Sequence, residues 1–385
     1  MAGTRLYNLA SALVAACMTP RAVCKIDLDA LAHNLREVRR LVGEGIRICA
    51  VVKSNAYGHG AVPIARTLLR GGAERLAVTS IDEAQELREA GLAVPILVLS
   101  GIDPADAPTA VRLGLVPCAW DAEELGALAA AVPRGARLPV HLKVDTGMRR
   151  LGANDAAALA RGAHHASISV DGLFSHLACA DTAGHPSVDD QIRSFEAAVA
   201  TICEAGLTPR TRHLANSAGL LADRRTHFDM VRPGLLLYGC LPGRELPVRP
   251  HLKPVMELTT RILHLKTVPA GAGVGYGWTF ETQRESRLAV VPVGYGQGYP
   301  RALSNRGEVS LHGRRAPVVG AVSMDHITID VTDIEEVEIE DEVTLWGGED
   351  GPDVMDLAQR AGTIGYELFT RIARDATRSY KGRNE

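Results

Sequence analysis

The chain lacks a dominant charge. Over 385 residues, 42 Lys and Arg stand against 45 Asp and Glu, a net of −3. With no basic face and no nucleic-acid motif, neither DNA nor RNA is expected as a partner. It lacks an apolar run long enough to span a bilayer, so no membrane partner is expected either. It lacks a cysteine framework. Cys17, Cys24, Cys49, Cys118, Cys179, Cys203 and Cys240 are odd in number and form no CxxC pair, which suits a reducing cytoplasm. It lacks a strong export signal. Leu6 to Ala16 is mildly apolar and runs into Cys17, faintly like a lipoprotein processing site. Yet only Arg5 precedes it, and Tyr7, Asn8 and Ser11 interrupt it. Residues 1–22 are therefore read as an N-terminal extension. No metal is expected, and there is no low-complexity tract.

The length is too great for one ordinary core, so two domains are expected. Eight apolar, β-branched runs alternate with helical patterns. They are Ile48–Val52, Arg75–Ser80, Pro95–Ser100, Leu115–Trp120, Val140–Thr146, Val170–His176, Thr211–Ser217 and Phe228–Pro233. The helix ahead of the first, Leu28–Val42, carries an apolar stripe at Leu28, Leu31, Leu35, Val38 and Leu41. Buried strands alternating with helices predict a parallel sheet, and eight units predict a (β/α)8 TIM barrel over 23–250. After about Leu241 the texture changes. Strand patterns dominate at Glu257–Val268, Ser286–Val293, Arg315–Val319, Ile327–Val331 and Glu342–Trp346, with helices at Val354–Ala361 and Gly365–Arg374. Residues 251–385 are expected to form a C-terminal mostly-β domain, giving an α/β chain overall.

Chemistry-bearing residues collect at the strand C-terminal ends, where such barrels place their sites. Lys53 follows the first strand within Lys53-Ser54-Asn55-Ala56-Tyr57-Gly58-His59-Gly60. A lysine there is costly to bury as a cation unless something pairs or reacts with it. One solution is a Schiff base to pyridoxal phosphate. Tyr57 lies within reach of the same place. Lys143, Asp145 and Arg150 lie in or just after strand five, His176 ends strand six, and Asn216 and Ser217 end strand seven. Arg232, Gly234 and Leu235 close strand eight. The loops after strands seven and eight often bind phosphate. Taken singly, each residue has an ordinary reading as an ion pair or a helix cap.

The segment Ala50-Val51-Val52-Lys53-Ser54-Asn55-Ala56-Tyr57-Gly58-His59-Gly60 resembles the lysine motif of bacterial alanine racemases, which use pyridoxal 5'-phosphate. Ser54 departs from the usual alanine. The resemblance runs from about Val23 to Ala373. It implies that Lys53 holds the cofactor and acts as one base. In Lys143-Val144-Asp145-Thr146-Gly147-Met148-Arg149-Arg150, Lys143 matches a lysine that is often carbamylated. Arg150 matches the arginine it orients toward cofactor and substrate carboxylate, while Arg149 is a departure. His176 in Phe174-Ser175-His176-Leu177 matches the histidine bonded to the arginine that faces the pyridine, here Arg232. Asn216-Ser217-Ala218-Gly219, with Gly234 and Leu235, matches the phosphate turn. In the second domain, Tyr276 of Val274-Gly275-Tyr276-Gly277 matches the second base. Met324 and Asp325 match a substrate-binding segment. Tyr366 matches a tyrosine near phosphate and gate, and Tyr295 and Arg301 mark the entrance. Ala321 stands where arginine is common. The resemblance further implies a head-to-tail homodimer with shared sites, acting on a small amino acid, with D-alanine made for peptidoglycan or consumed.

Three alternatives stay open at this level. A decarboxylase of the ornithine or diaminopimelate class shares the architecture but normally sets a carboxylate at the pyridine nitrogen, against Arg232. A broad-specificity or serine racemase would differ at Tyr366 and the Tyr295–Arg301 segment. A non-catalytic pyridoxal phosphate carrier needs no second domain and no Tyr276.

Overall fold

A computed structural model describes residues 21–243, 245–372 and 376–382. The N-terminal extension up to residue 20, and the last residues of the helix expected to reach Arg374, lie outside the described residues.

The first strand, β1 (Val23–Asp27), precedes the helix Leu28–Val42. Asp27 caps that helix, its carboxylate accepting from the Ala30 amide at 2.8 Å. The helix buries Leu28, Leu31, Leu35, Val38 and Val42 on one stripe. Eight parallel strands follow: β2 (Arg47–Val51), β3 (Arg75–Val78), β4 (Ile96–Val98), β5 (Val116–Ala119), β6 (Leu138–Lys143), β7 (Ile168–Phe174), β8 (Thr211–His213) and β9 (Met230–Val231). Their order is β8-β7-β6-β5-β4-β3-β2-β9. The ring closes between its ends through a parallel bridge of Asn216 with Arg232, whose amide donates to the Ala215 carbonyl at 3.0 Å. The eight expected runs thus form one barrel, helices between them. Near-continuous burial along β2 to β5 follows from packing on both faces.

Two expected strands differ locally. Phe228–Pro233 shrinks to Met230–Val231, because Phe228 is left-handed at φ 47° and Pro233 has no N–H to give. The strand expected over Ile48–Val52, just ahead of Lys53, stops at Val51. Ser54, Asn55, Ala56 and Tyr57 then adopt φ of 52°, 54°, 52° and 53°, a left-handed turn of four consecutive side-chain-bearing residues.

The second unit contains 21–26 and Met256–Tyr380, whereas the barrel unit spans Asp27–Val255 with residues 381 and 382. Its further strands are β10 (Met256–Arg261), β11 (His264–Val268), β12 (Gly273–Val274), β13 (Phe280–Glu281), β14 (Ser286–Val291), β15 (Glu308–Leu311), β16 (Arg314–Pro317), β17 (Ile327–Asp330), β18 (Glu342–Trp346) and β19 (Thr377–Lys381). A six-stranded sheet has the order β16-β15-β18-β10-β1-β19. A three-stranded sheet, β11-β14-β17, and a hairpin, β12-β13, complete it. The single run read as Glu257–Val268 splits. Ile262 donates its amide to Asp341 and Leu263 donates to Val290, so the chain leaves one sheet and enters the other at that step. Tyr299 and Trp346 stack in the core of this unit.

Asn34 fastens the barrel unit. It is fully buried, donates to the Leu237 and Lys253 carbonyls at 3.1 and 2.8 Å, and accepts from the Lys253 amide at 2.8 Å. Asn34→Ala strands three backbone groups. It is expected to destabilise the protein by about 2–4 kcal/mol, read as a lower urea midpoint at unchanged slope.

Candidate active site

The turn after β2 sets the first functional group. A left-handed backbone costs about 1–2 kcal/mol per side-chain-bearing residue, so surrounding contacts must hold it. Glu83 accepts from the Ser54 amide at 2.5 Å and the Thr79 amide at 2.8 Å. The Asn55 side chain accepts from the Ala61 amide at 2.8 Å. Gly58 and Gly60 donate back to Ser54 and Asn55. Lys53 is left half-buried at the start of this turn. Burial first, then the Arg150 charge, lowers its pKa, and Glu83 opposes them in part. A desolvated, readily neutral amine is a nucleophile for a carbonyl and a base.

Arg232 follows β9 and is buried. Its Nη1 donates to His213 Nδ1 at 2.7 Å and to the His213 carbonyl at 3.1 Å. Its Nη2 donates to the Ser175 and Leu214 carbonyls at 2.8 and 3.1 Å, with His176 Nδ1 at 3.4 Å. Among the described residues its Nε has no hydrogen-bond partner. Burial lowers its pKa to about 10, so it stays a cation and a donor near neutrality. No carboxylate touches it among the described residues. His176, expected as its histidine partner, sits at the longer distance and accepts weakly, while its Nε2 lies 3.4 Å from Asn216 Nδ2. Burial, then Arg232, holds His176 well below the usual histidine range, hence neutral.

Around them lie the other expected residues of the barrel unit. Asn216 caps the helix Ser217–Ala222, accepting from the Gly219 amide at 2.9 Å. Ser217 Oγ accepts from the Gly234 amide at 2.9 Å and the Leu236 amide at 3.4 Å, which ties the two loops together. A Cβ at Gly234 would fall 2.5 Å from Tyr57 Oη, so glycine keeps a hollow open under that hydroxyl. Leu235 is buried beside it. Lys143 donates to the Leu99 carbonyl at 3.0 Å and lies 5.7 and 5.3 Å from the Trp120 and Phe174 ring centroids. It forms no ion pair among the described residues. Asp145 instead accepts from the Gly147 and Arg149 amides at 2.8 and 3.1 Å. Burial depresses the Lys143 pKa, and burial raises that of nearby Glu124 to about 7. Arg150 is exposed, and its charge is felt at Lys53, Lys143 and His176.

The second unit holds its own cluster. Tyr276 is 77% exposed and Met324 56% exposed, unusual for residues of their size. Gly275 packs on the Ala321 backbone. The Gly296 amide donates to the Met324 carbonyl at 2.8 Å, which brings Tyr295 beside Met324 and Asp325. Asp325 accepts from Arg21 and Gln297 at 3.1 and 3.3 Å. A Cβ at Gly298 would meet the Arg371 carbonyl at 2.6 Å, so the C-terminal end of the helix Gly365–Arg371, which carries Tyr366 in its first turn, packs on the Tyr295–Arg301 segment. Arg301 is exposed.

Sequence reasoning passed over Glu83, Glu124, His141 and His213. Glu83 acts on backbone amides, which leave no side-chain pattern. His141 carries a signal in hindsight, a polar residue at a fully buried position between Val140 and Leu142, whereas His213 follows Thr211 and Arg212 and carries none.

The lowered Lys53 pKa has a direct readout. In the chain stripped of small molecules, acylation of Lys53 is expected to follow a deprotonation midpoint below the ~10.4 of a model lysine. Peptide-resolved labelling against pH checks it. A midpoint at or above that value would remove the argument from burial.

Residues 26–242 match the N-terminal domain of alanine racemases, and 255–380 match their C-terminal domain. An alanine racemase of Desulfovibrio desulfuricans is 40% identical over 92% of this chain and 97% of its own length. One of Desulforamulus reducens is 42% identical over 93% and 98%. Among solved structures, the alanine racemase of D-cycloserine-producing Streptomyces lavendulae superposes with a TM-score of 0.88 at 36% identity, covering 95% of this chain and 98% of that one. The biosynthetic alanine racemase of Pseudomonas aeruginosa gives 0.85 at 37%, covering 95% and 100%. With both domain types matched in order along nearly its whole length, the chain belongs to the alanine racemase family.

Proposed function

We propose that the chain interconverts L- and D-alanine with pyridoxal 5'-phosphate held covalently on Lys53. The observation that carries this reading is the pairing of a desolvated Lys53, its pKa lowered by burial, with a buried Arg232 whose Nε–H is its one unengaged donor among the described residues. The residues fit the group. Lys53 offers an amine to an aldehyde, Arg232 Nε a donor to a ring nitrogen, and the hollow bounded by Tyr57, Ser217, Gly234 and Leu235 a seat for phosphate, with Asn216 and His176 alongside. When bound, the cofactor supplies an electron sink that lowers the cost of removing the substrate's α-proton.

The chain's own groups do the rest. Lys53 Nζ takes or returns the proton on one face, and burial, by lowering its pKa, favours the neutral form that does so. Tyr276 Oη serves the opposite face. Arg232 keeps its protons near neutrality, so it would give a ring nitrogen a hydrogen bond rather than a proton, which would favour racemisation over transamination. Arg150 and the Met324 backbone N–H, with Asp325, hold the substrate carboxylate. Lys143, with its depressed pKa and no ion pair among the described residues, suits carbamylation by carbon dioxide, and the resulting carbamate orients Arg150. Tyr295 and Arg301 line the entrance.

The exposure of Tyr276 and Met324 supports a head-to-tail homodimer in which both complete the site of a second copy. No helix among the described residues is long and apolar enough to cross a membrane, and we place the enzyme in the cytoplasm, making D-alanine for peptidoglycan or consuming it.

Purified protein is expected to racemise both alanine enantiomers. Borohydride reduction followed by peptide mapping is expected to find the cofactor on Lys53. Lys53→Ala should abolish both. An adduct on Lys143 instead would overturn the assignment.

Tyr276→Phe keeps the ring and removes the ionisable oxygen. It is expected to bind cofactor and lose racemisation by about 10²–10⁴-fold, with α-proton exchange failing first for L-alanine. Hybrid dimers of Tyr276→Phe with Lys53→Ala subunits should regain activity, since one of their two sites is then intact. Verified hybrids without recovery would return Tyr276 to the site of its own chain.

A further inference from the structure

Two buried histidines stand outside this chemistry. His141 lies within β6 and His213 ends β8, and both are fully buried. Their rings connect, His141 Nδ1 lying 2.7 Å from His213 Nε2. His213 Nδ1 is the 2.7 Å acceptor for Arg232. At the other end His141 Nε2 lies 3.5 Å from Asp171 Oδ2, which also accepts from Arg75 at 2.9 Å. Arg75 begins β3 and Asp171 lies on β7. These strands are not neighbours in the sheet, so their contact crosses the barrel interior. Gly172 makes room for the line of rings, because a Cβ there would lie 2.5 Å from His141 Nδ1.

The donor inventory gives this line a direction. A guanidinium only donates. His213 Nδ1 must therefore accept, and the ring's proton sits on Nε2. That N–H points at His141 Nδ1, which must accept in turn, so the second proton sits on His141 Nε2, facing Asp171. Protonating either ring would set two N–H groups against each other. The charges that face the rings also oppose it. Arg232, Arg75 and Arg47 face His213 along with His141, and Arg75 and Arg232 face His141 against Asp171. Burial is the largest cause lowering both. The last link is longer than a formed hydrogen bond. His141 Nε2 has no hydrogen-bond partner among the described residues, so Asp171 holds it by charge.

We infer that Arg232, His213, His141 and Asp171 form one polarised chain through the barrel, in which both histidines are positioning residues locked as Nε2–H tautomers and Asp171 is the terminal acceptor that fixes the aim of Arg232. The arrangement gives a buried cation its counter-charge without setting a carboxylate beside it, where it would compete for the Nε–H. The effect on rate rests on the proposed function, whereas the tautomers do not.

The test uses the full-length holoenzyme labelled with 15N-histidine, with His213→Asn and His141→Gln assigning the signals. Two-bond 1H–15N spectra are expected to show both rings as Nε2–H, unchanged from about pH 6 to 9. An Nδ1–H or imidazolium form of His213 in that range overturns the chain. Asp171→Leu and Asp171→Asn then separate its role from packing. Leucine leaves Arg75 facing His141 with no acceptor between them, whereas asparagine keeps an oxygen there. In Asp171→Leu part of His141 is expected to move to Nδ1–H, with kcat on alanine falling about tenfold and KM within about twofold. In Asp171→Asn, which keeps an oxygen but loses the charge, the tautomers should remain and kcat should fall by less than in Asp171→Leu. Equal kcat in the two variants, or a loss of kcat without tautomer change, makes Asp171 merely structural and overturns its role. If Asp171→Leu does not fold, the unmutated enzyme's spectra still decide the tautomers. Wild-type protein inactive on alanine would sink the functional reading and leave those spectra standing.

Discussion

The buried guanidinium of Arg232 is the constraint on which the rest of the barrel unit depends. A cation enclosed by strands must be answered from every side. Three backbone carbonyls and a histidine nitrogen answer it, drawn from β8, from the residues just beyond it and from Ser175 after β7. Those same bonds sit where the barrel closes, since Arg232 also forms the bridge to Asn216. Ring closure and the aim of one donor are thus a single geometric fact. A side chain of another length there would disturb both the seam and the site.

Lys53 faces the complementary problem. For the role proposed it must be poorly solvated to lose its proton readily, yet it must stay reachable. The left-handed turn does this by halting β2 early and lifting the chain away before a helix can begin. Glu83 is the tie that makes the turn tolerable, and its carboxylate also moderates the lysine. Rigidity and basicity at this position are therefore adjusted by one residue on a neighbouring element.

Much of this was legible in the sequence, and the reasons are particular. Lys53, His176 and Arg232 stand out because each polar residue ends an apolar run, and the eightfold alternation fixes where those ends gather. The barrel itself follows from burial on two faces, which writes continuous hydrophobic strands. The turn at Ser54 to Tyr57 was not legible, since Ser, Ala and Tyr have no preference for positive φ and only tertiary ties impose it. His213 and His141 were hidden inside runs that read as core. In the second unit β1, β15 and β19 were missed because short, half-polar strands carry little periodicity. The break between β10 and β11 was invisible because Ile262 and Leu263 prolong an apolar pattern while changing sheets.

The pairing of β1 with β10 has a bearing on biosynthesis. Apart from residues 381 and 382, the barrel unit is drawn from one stretch of chain, whereas the second unit needs a strand from before it and strands from after it. On the ribosome, β1 emerges early and finds its neighbour only once the entire barrel has been translated. During that interval its edges are unsatisfied and its alternating Cys24 and Ile26 have no sheet to bury them. The barrel is thus free to mature first, and the nascent chain carries one adhesive strand ahead of it, a point at which chaperone engagement or mispairing between neighbouring nascent chains would begin.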